Sequence, residues 1–280
     1  MKYNLSIVIV SFNTKNLLDE CLRSLLKLTK EIRFEIIVSD NASDDGSVEL
    51  VKKKYPKVRL IENNANLGFA AGNNKARNVV KGEYVLFLNS DTQVPPNTLK
   101  QSIQFLEKNS DVGAMTCKLI LPSGELDKDA RRKFPTPWIS FKRLFLHATS
   151  EYWYEKVDPN TIQEVDTIQG AFFLTRKKIL DEVGWFDERY FLDAEDIDLC
   201  WQIKQKGYKI IYNPKVSILH VKKASKRNIR SSSVISGLKA MELFYKKNFW
   251  SEYPIWINYT VLAGIKSLWL IRALKIKIGL

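Results

Sequence analysis

Short apolar runs alternate with amphipathic segments in the first third of the chain. The apolar runs are rich in β-branched residues and predict strands over residues 5–12, 34–39, 58–61 and 84–88. Apolar residues at helical spacing between them predict helices over residues 16–28, 48–55 and 73–80. Continuous apolar strands separated by helices are typical of a parallel sheet that is covered on both faces. We therefore expect an α/β fold.

The periodicity is weaker in the rest of the chain, although the elements continue. The pattern predicts helices over residues 98–108, 177–183 and about 195–206, and strands over residues 113–121 and 210–212. Residues 131–138 form a basic segment broken by prolines, and we expect a mobile loop there. Because the sequence contains no internal repeat or low-complexity tract, we expect one large domain followed by a tail.

Polar residues follow each of the four predicted N-terminal strands. Ser11 and Asn13 follow the first strand, Asp40 follows the second, and the segments 63–68 and 89–92 follow the third and fourth. Ligands of open α/β sheets bind beyond the carboxyl ends of the strands, where such loops converge. The amides, hydroxyls and carboxylates of these loops suit a polar ligand with many hydrogen-bonding groups.

The chain is strongly basic, with 44 Lys and Arg, 31 Asp and Glu and a formal net charge of +13. This charge favours anionic partners such as nucleotides, nucleic acid or acidic lipid headgroups. Three cysteines without a Cys-x-x-Cys pair provide neither a zinc site nor a disulfide framework, which favours a reducing, cytoplasmic compartment. The apolar run at residues 5–10 is too short for a signal-peptide core, so we expect the chain to begin inside the fold.

Several acidic residues are candidates for chemistry, each with an ordinary structural alternative. Asp40 could accept the imide N–H of a uracil or thymine ring, or begin a turn. Asp91 could bind Mg²⁺ or Mn²⁺ together with diphosphate oxygens, or cap the next helix. On a helix Glu195 and Asp198 share a face while Asp196 points elsewhere. Acids that converge on a pocket have raised pKa values, whereas acids in a first helical turn also complement the helix dipole.

Motifs of several common enzyme classes are missing from the sequence. Gly-x-Ser-x-Gly, Gly-x-Gly-x-x-Gly and a P-loop do not occur, so serine hydrolases, dinucleotide oxidoreductases and P-loop NTPases lose their main support. With only His147 and His220, a histidine-based nucleophilic triad is also hard to assemble. A glycoside hydrolase with paired carboxylates and a basic nucleic-acid-binding protein stay open as alternatives, although no aromatic and basic signature such as an RRM supports the second.

The motifs taken in order resemble the family 2 inverting glycosyltransferases of the GT-A fold, especially the bacterial rhamnosyltransferase-like branch that builds surface polysaccharides. The likeness runs from Leu5 to about Ser225 and is carried by Val-Ser-Phe-Asn at 10–13, Asp-Asn-Ala-Ser at 40–43, Asn-Leu-Gly-Phe-Ala-Ala-Gly-Asn-Asn at 66–74, Leu-Asn-Ser-Asp-Thr at 88–92, Gly-Ala-Phe-Phe-Leu at 170–174, Phe-Asp-Glu-Arg-Tyr-Phe at 186–191 and Glu-Asp-Ile-Asp-Leu at 195–199. The resemblance implies a Rossmann-like, mostly parallel sheet flanked by helices. It divides the catalytic domain, residues 1–225, into a nucleotide-binding half, 1–110, and an acceptor half, 111–225.

The resemblance also implies a role for each matching residue in binding a nucleoside-diphosphate sugar. Asp40 would read the pyrimidine, with the other donor-binding positions at Ser11, Asn13, Asn66, Gly68, Asn74, Asn89, Asp91 and Gly170. Gly170 would leave room for the sugar, and the donor of this branch would be a deoxythymidine diphosphate rhamnose. Asp91 would bind a divalent metal, Mg²⁺ or Mn²⁺, with His220 as its second protein ligand. Asp196 would be the general base, with Glu195 beside it in the acceptor site.

Two departures from the family pattern concern the metal and the leaving group. Asn89-Ser90-Asp91 stands where the family has Asp-x-Asp, which leaves one firm carboxylate. After His220 the chain carries Val221-Lys222-Lys223 in place of glycines, and Lys222 or Lys223 would help to stabilise the departing diphosphate. The whole assignment requires Asp40, Asp91, Asp196 and His220 to meet around a single hollow.

Aromatic, apolar and basic side chains crowd the tail, residues 226–280. Trp and Tyr interleaved with Lys and Arg suit an amphipathic helix that lies in the headgroup region of a bilayer. We therefore expect peripheral attachment to an anionic surface, the inner face of the cell membrane, where a lipid-linked or glycan acceptor would be met. The alternative is a helix that packs on the domain or at an oligomer contact. No nucleic-acid partner is expected.

Overall fold

The structure is a computed structural model that describes residues 4–30, 32–222 and 230–277. The predicted domain boundary at residue 225 lies outside the described residues, as does Lys223. The described strands are β1 (Leu5–Ser11), β2 (Phe34–Asp40), β3 (Arg59–Glu62), β4 (Tyr84–Leu88), β5 (Thr92–Gln93), β6 (Val112–Ile120), β7 (Gln163–Glu164), β8 (Phe172–Arg176) and β9 (Lys209–His220). The described helices are α1 (Lys15–Leu26), α2 (Ser47–Lys54), α3 (Gly68–Asn74), α4 (Thr98–Lys108), α5 (Pro137–Phe145), α6 (Lys177–Val183), α7 (Glu195–Gln205), α8 (Arg230–Asn248) and α9 (Ile255–Lys277).

All strands of the described residues join one sheet, in the order β3-β2-β1-β4-β8-β6-β9-β5, with β7 paired to β9. The N-terminal strands β3, β2, β1 and β4 are parallel to one another, as the alternation of strands and helices predicts. The second half is mixed, because β8 runs antiparallel between β4 and β6, while β6 and β9 are parallel. The predicted α/β class is therefore confirmed.

The central strands are buried on both faces, which is why they carry continuous apolar runs rather than alternating ones. Ile7, Val8 and Ile9 of β1 are completely buried, and so is Phe87 in the neighbouring β4. Helix α1 covers one face with buried leucines at helical spacing, Leu18, Leu22 and Leu25. The core thus fixes the strands rigidly and leaves their polar carboxyl ends at a common edge.

Three local predictions need correction. The predicted helix at 73–80 is wrong, because α3 begins at Gly68 and ends at Asn74. The short strand predicted at 210–212 is the beginning of the much longer β9, which absorbs Pro214 in an irregularity of its pairing with β6. The segment 131–138 is held in place rather than mobile: Arg131 is buried, and the Thr136 side chain accepts a hydrogen bond that caps α5.

The tail folds back on the domain as the helices α8 and α9. The Trp201 ring of α7 contacts the Phe249 ring beyond the end of α8, with centroids 4.9 Å apart. Tyr245 donates a 2.6 Å hydrogen bond to the side-chain oxygen of Asn258, which joins α8 to α9. None of the helices in the described ranges has the length and apolarity that crossing a membrane requires.

Candidate functional site

The loops after β1, β2 and β4 form one hydrogen-bonded platform, because these three strands are neighbours in the sheet. The Asn41 N–H donates to the Ser11 carbonyl at 2.8 Å, which joins the first two loops. The Ser11 and Thr14 hydroxyls are 3.1 Å apart, and Thr14 donates to the Ser90 hydroxyl at 3.0 Å. The polar strand ends therefore meet at one edge, as the parallel topology predicts.

Asp40 is buried and forms the turn that was one of its two predicted alternatives. Its carboxylate accepts hydrogen bonds from the N–H and the hydroxyl of Ser43, both at 2.8 Å. Asn13 closes the same loop, since its N–H donates to the Ser43 hydroxyl and its side-chain oxygen accepts from Asp44. A carboxylate has about four acceptor positions, so this turn leaves Asp40 able to accept a further hydrogen bond.

The motif at 66–74 mainly holds two loops together. The side-chain oxygen of Asn66 accepts the Gly68 N–H at 3.0 Å. Gly68 has a φ of +78°, and a Cβ there would lie 2.0 Å from the Phe191 carbonyl oxygen, so glycine is required by this close approach. Helix α3 begins here because Phe69 also donates its N–H to that carbonyl.

The side chain of Asn74, one of the predicted donor-binding positions, is hydrogen-bonded to the segment at 186–188. Its amide nitrogen donates to the Phe186 carbonyl at 2.8 Å and to the Glu188 carboxylate at 2.9 Å. Its amide oxygen accepts the Phe186 N–H at 3.2 Å. Both amide hydrogens are thus used within the protein, and Asn74 anchors the segment that precedes α7.

Asp91 and His220 lie together at the ends of two neighbouring elements, and both are buried. The His220 Nε2 atom is 3.5 Å from the Asp91 carboxylate, and its Nδ1 atom is 2.9 Å from the Asp127 carboxylate. Burial alone would lower the pKa of His220, but hydrogen bonds to Asp127 and Asp91 outweigh it and raise that pKa to about 9. Burial would likewise raise the pKa of Asp127, yet His220 and Lys222 hold it well below its usual range.

The Asp91 carboxylate and the Nε2 atom of a neutral His220 imidazole suit a divalent metal that takes its remaining ligands from a substrate, and metal binding would release the proton that the raised pKa holds on the ring. Within the described parts of the chain, no group of three or more His, Cys, Asp and Glu side chains is placed to hold a metal ion. Mg²⁺ and Mn²⁺ suit a site with few protein ligands when diphosphate oxygens and water complete the shell. Asp127 supports such a site, because it fixes the ring so that Nε2 faces Asp91.

Lys222 and Asn89 are two positions at which the sequence departs from the family pattern, and both make contacts within the protein. The Lys222 ammonium bridges the carboxylates of Asp127 and Asp129, each at 2.8 Å, so the predicted phosphate-binding cation already has two anionic partners. Asn89 contributes a neutral amide beside Asp91, and its backbone N–H donates to the Ala171 carbonyl at 3.2 Å. That contact joins the end of β4 to the start of β8.

Asp196 lies in the first turn of α7 and is held by two donors. The Arg132 guanidinium contacts one of its carboxylate oxygens at 2.7 Å, and the Gly170 N–H donates to the same oxygen at 3.2 Å. Arg132 also donates to the Ile168 carbonyl at 3.2 Å. Burial alone would lower the pKa of Arg132, but the charge of Asp196 outweighs it and raises that pKa, so the guanidinium stays charged.

The other acids of this helix turn have different surroundings. Burial, together with the charge of Asp196, raises the pKa of Glu195 well above its ordinary value. One Glu195 carboxylate oxygen is buried with no hydrogen-bond partner among the described residues. Asp198 faces the tail instead, where it pairs with Lys247 at 2.7 Å and accepts from Asn248 at 2.9 Å. The predicted separation of Asp196 from Asp198 agrees with these contacts, but Glu195, which was expected to share a face with Asp198, has the charge of Asp196 as its neighbour.

The backbone at Gly170 lies between the Asp196 carboxylate and the strand end that carries Asp91. A Cβ at Gly170 would lie 2.8 Å from the ring of Phe69, so a larger residue here would clash with this ring. Its N–H binds Asp196, while the next residue, Ala171, accepts the Asn89 N–H. The backbone at 170–171 thus links the carboxylate of α7 to the strand end that carries Asp91.

The sequence did not predict roles for Arg132 and Asp127. Arg132 orients Asp196, and Asp127 orients His220. Arg132 lies in the basic segment at 131–138, whose charge could have suggested a partner for the acids at 193–198. Asp127 lies in a polar turn with no periodic signal, and it is 93 residues from the histidine that it contacts. Both contacts follow from the order of strands in the sheet.

Comparisons with known proteins show what the chain is similar to in sequence and in fold. The chain is 27% identical over 275 residues to N-acetylglucosaminyl-diphospho-decaprenol L-rhamnosyltransferase from Mycobacterium tuberculosis, covering 90% of this chain and 87% of that protein. It is 27% identical over 243 residues to rhamnosyltransferase WbbL from Escherichia coli, covering 84% and 89%. Among solved structures, the mannosyltransferase PcManGT from Pyrobaculum calidifontis, in complex with GDP-Man and Mn²⁺, superposes with a TM-score of 0.61 at 20% identity. That match covers 88% of this chain and 64% of PcManGT, and it shows the fold alone.

The family model described as glycosyl transferase family 2 matches residues 6–184. The match includes the polar strand ends, Asp91 and the Arg132 segment, and it stops before α7. The chain belongs to glycosyl transferase family 2.

Proposed function

We propose that the protein transfers a sugar from a nucleoside-diphosphate donor to a hydroxyl of a glycan or lipid-linked acceptor, with inversion, in cell-surface polysaccharide synthesis. The observation that carries the proposal is the position of Asp196, held by Arg132 and Gly170 and joined through Ala171 to the Asp91 strand end. The names of the two rhamnosyltransferase relatives make deoxythymidine diphosphate rhamnose the first donor to test. Family membership favours transfer over the hydrolase and nucleic-acid-binding alternatives.

The two halves of the domain divide the work in this proposal. Residues 1–110 bind the nucleotide, with Asp40 accepting the pyrimidine imide N–H and Ser11, Asn13 and Asn66 shaping the pocket. The hydrogen bonds of these residues to neighbouring loops support this role, because a pocket whose loops are already ordered loses less entropy on binding. Residues 111–225 hold the acceptor, and residues 226–280 form the tail.

Asp196 is the general base in this mechanism. Its carboxylate takes the proton of the acceptor hydroxyl as that oxygen attacks the anomeric carbon, and a single displacement inverts this centre. Arg132 and the Gly170 N–H hold one carboxylate oxygen, and the other oxygen is the one that takes the proton in this proposal. Glu195, whose pKa is raised by burial and by the charge of Asp196, contacts the acceptor beside it.

Asp91 and His220 would hold Mg²⁺ or Mn²⁺ against the diphosphate, and the metal would neutralise the charge that develops on the leaving group. Asp127 keeps the imidazole in the orientation that this binding requires. Lys222 adds positive charge near the same position, although it is shared with Asp127 and Asp129. Asn89 lies beside the donor as a neutral amide, which leaves Asp91 as the carboxylate of this motif.

The protein acts in the cytoplasm, on the inner face of the cell membrane, and α9 supplies one contact with the lipid. Trp256 and Tyr259 are 67% and 63% exposed on α9, and Trp269 is 43% exposed further along it. Such residues favour the headgroup region of a bilayer. A variant that ends at residue 250 should bind anionic vesicles less than the full chain does, and equal binding would remove α9 from the proposal.

The central experiment measures donor binding and transfer separately. A thermal-shift panel of nucleoside diphosphates and their sugars, with and without Mg²⁺ or Mn²⁺, identifies the donor. Asp196→Asn should then bind this donor normally and lose about 10²- to 10⁴-fold in transfer rate. Asp198→Asn is the matched control on the same helix, and NMR of the product reports the anomeric configuration. Near-normal turnover of Asp196→Asn, or retained configuration, would contradict the mechanism.

A further inference from the structure

Helix α5 exposes a row of large apolar side chains on one face. Trp138 is 61% exposed, Phe141 44%, Phe145 47% and Leu146 57%, and we name these four residues the α5 aromatic face. The Trp138 and Phe141 rings stack with centroids 5.7 Å apart, and Phe141 and Phe145 stack at 5.5 Å. A contiguous apolar row of this kind on a surface marks a contact with another molecule or with a membrane.

Basic side chains of the helix anchor it to the domain. Arg143 lies over the Tyr152 ring at 4.3 Å, and Lys142 forms an ion pair with Glu151. Thr136 caps the first turn, followed by a proline at the first position of the helix. These contacts fix the helix in place. Every residue of α5 is described and at least partly exposed, so the aromatic face is not buried.

The segment that carries the α5 aromatic face has a net positive charge, with Glu151 as a carboxylate shared by Lys133 and Lys142. Residues 133–147 contain three Lys and Arg residues and no Asp or Glu. Lys142 lies over the Trp138 ring at 5.5 Å, beside the exposed face itself. Exposed Trp and Phe combined with Lys and Arg on a short helix favour the interface of an anionic bilayer, where rings enter the acyl boundary and ammonium groups meet lipid phosphates.

The helix is also attached to the acceptor side of the domain. Two residues before the cap, the Phe134 ring contacts the Trp201 ring of α7 at 4.8 Å, and Trp201 in turn contacts Phe249 before the tail helix α9. Arg132, four residues before the cap, binds the carboxylate of Asp196. The α5 aromatic face is therefore connected, through residues 132–134, to the helix that carries Asp196.

We propose that the α5 aromatic face docks on an anionic bilayer and forms a second lipid contact, separate from α9. The idea depends on the proposed function only in assuming a lipid-linked acceptor, since docking itself involves no substrate. Binding at α5 fixes the acceptor carboxylates relative to the membrane, whereas α9 alone attaches the protein through its tail.

The test is vesicle binding by the full chain. Vesicles of equal parts phosphatidylglycerol and phosphatidylcholine are sedimented with wild type and with the triple variant Trp138→Ser, Phe141→Ser and Phe145→Ser. The triple variant should lower the partition coefficient by about tenfold or more, because three half-exposed rings lose their apolar contact. A control variant, Val157→Ser with Ile162→Ser, removes side chains that are each 40% exposed elsewhere and should change binding less than about twofold.

The remaining outcomes are equally decisive. Replacing the three rings by leucine keeps an apolar face and should restore most of the binding, and unchanged thermal unfolding shows that the variants are folded. Wild-type binding by the triple serine variant, or loss of a dimer in ultracentrifugation without loss of vesicle binding, would overturn the proposal. Failure of the proposed function would give a different result: the wild-type protein would transfer no sugar to any acceptor, while its vesicle binding would still depend on α5.

Discussion

The ion pair between Arg132 and Asp196 provides the sharpest test of the site. The two side chains are 11% and 8% exposed, and the carboxylate has the Gly170 N–H as its other donor. Arg132→Met keeps the apolar stem of the side chain and removes the guanidinium. Asp196 is then left as a nearly buried carboxylate that has lost its cation, and it must either take up a proton or turn toward water.

The magnitude follows from the burial of the pair. Removing one partner of a buried ion pair costs about 3–5 kcal/mol of unfolding free energy, and the hydrogen bond from Gly170 places the expected loss near the lower end. A protonated or displaced Asp196 cannot accept the acceptor proton, so transfer should fall by about 10²-fold or more. Donor affinity should change little, because Asp40 and its loop do not contact Arg132.

The assay combines urea unfolding with steady-state kinetics on Arg132→Met, Asp196→Asn and the double variant. The double variant removes both charges, so its loss of stability should be smaller than the sum of the two single losses by about 0.5–3 kcal/mol. Arg132→Lys keeps the charge without the planar fork and should recover stability better than turnover. Lys133→Met is the control for removing a neighbouring cation.

The unfolding free energy, the turnover and the coupling in the double variant each test a different role of the ion pair. Wild-type stability and turnover in Arg132→Met would show that the pair does not matter in solution. Reduced stability with wild-type turnover would make Arg132 a structural residue and would remove it from the positioning of Asp196. Additive losses in the double variant would mean that the two charges are not coupled.

Three further predictions concern other buried groups. Asp127→Asn should weaken Mn²⁺ binding in the presence of a nucleoside diphosphate by about 10- to 100-fold in calorimetry, because it loosens the imidazole that it orients. The raised pKa of Glu195 means that the folded state retains a proton that the unfolded chain releases, so the free energy of unfolding falls as the pH rises toward that pKa. Glu195→Gln should therefore gain stability over wild type as the pH increases from about 5 to 8, whereas the exposed control Glu49→Gln should not. Gly68→Ala should lower the melting temperature more than Gly124→Ala, since both have positive φ but only the first meets a carbonyl oxygen, at 2.0 Å.

The elements that the sequence predicts well are those whose pattern arises from their own burial. β1 and β4 are enclosed on both faces, so their apolar runs are continuous, and α1 shows its buried side as leucines three and four residues apart. The same parallel strands bring their polar ends together, which is why the location of the site was predictable. These signals are local and need no knowledge of distant contacts.

The parts that could not be predicted depend on contacts between distant segments. Arg132 meets a carboxylate 64 residues away, and α3 starts at a glycine whose neighbour is the carbonyl of Phe191. Glycine and asparagine are weak helix formers, so the sequence favours a later start, while the hydrogen bond between Phe69 and Phe191 stabilises the earlier one. Hydrophobic periodicity along the chain contains no information about a contact with a distant segment.

The sequence motifs predict where the loops of the site lie better than they predict what each side chain contacts. Several of the quoted positions bind groups within the protein: Asn66 holds Gly68, Asn74 holds Phe186, and Asp40 holds its own turn. Loops joined in this way are ordered before the donor binds. Their polar groups therefore need little rearrangement during donor binding and sugar transfer. Residues whose atoms are fully used inside the protein, as the Asn74 amide hydrogens are, can therefore be essential without touching the substrate. Substituting them should reduce stability and donor affinity together, whereas substituting Asp196 should reduce turnover and stability and leave donor affinity unchanged.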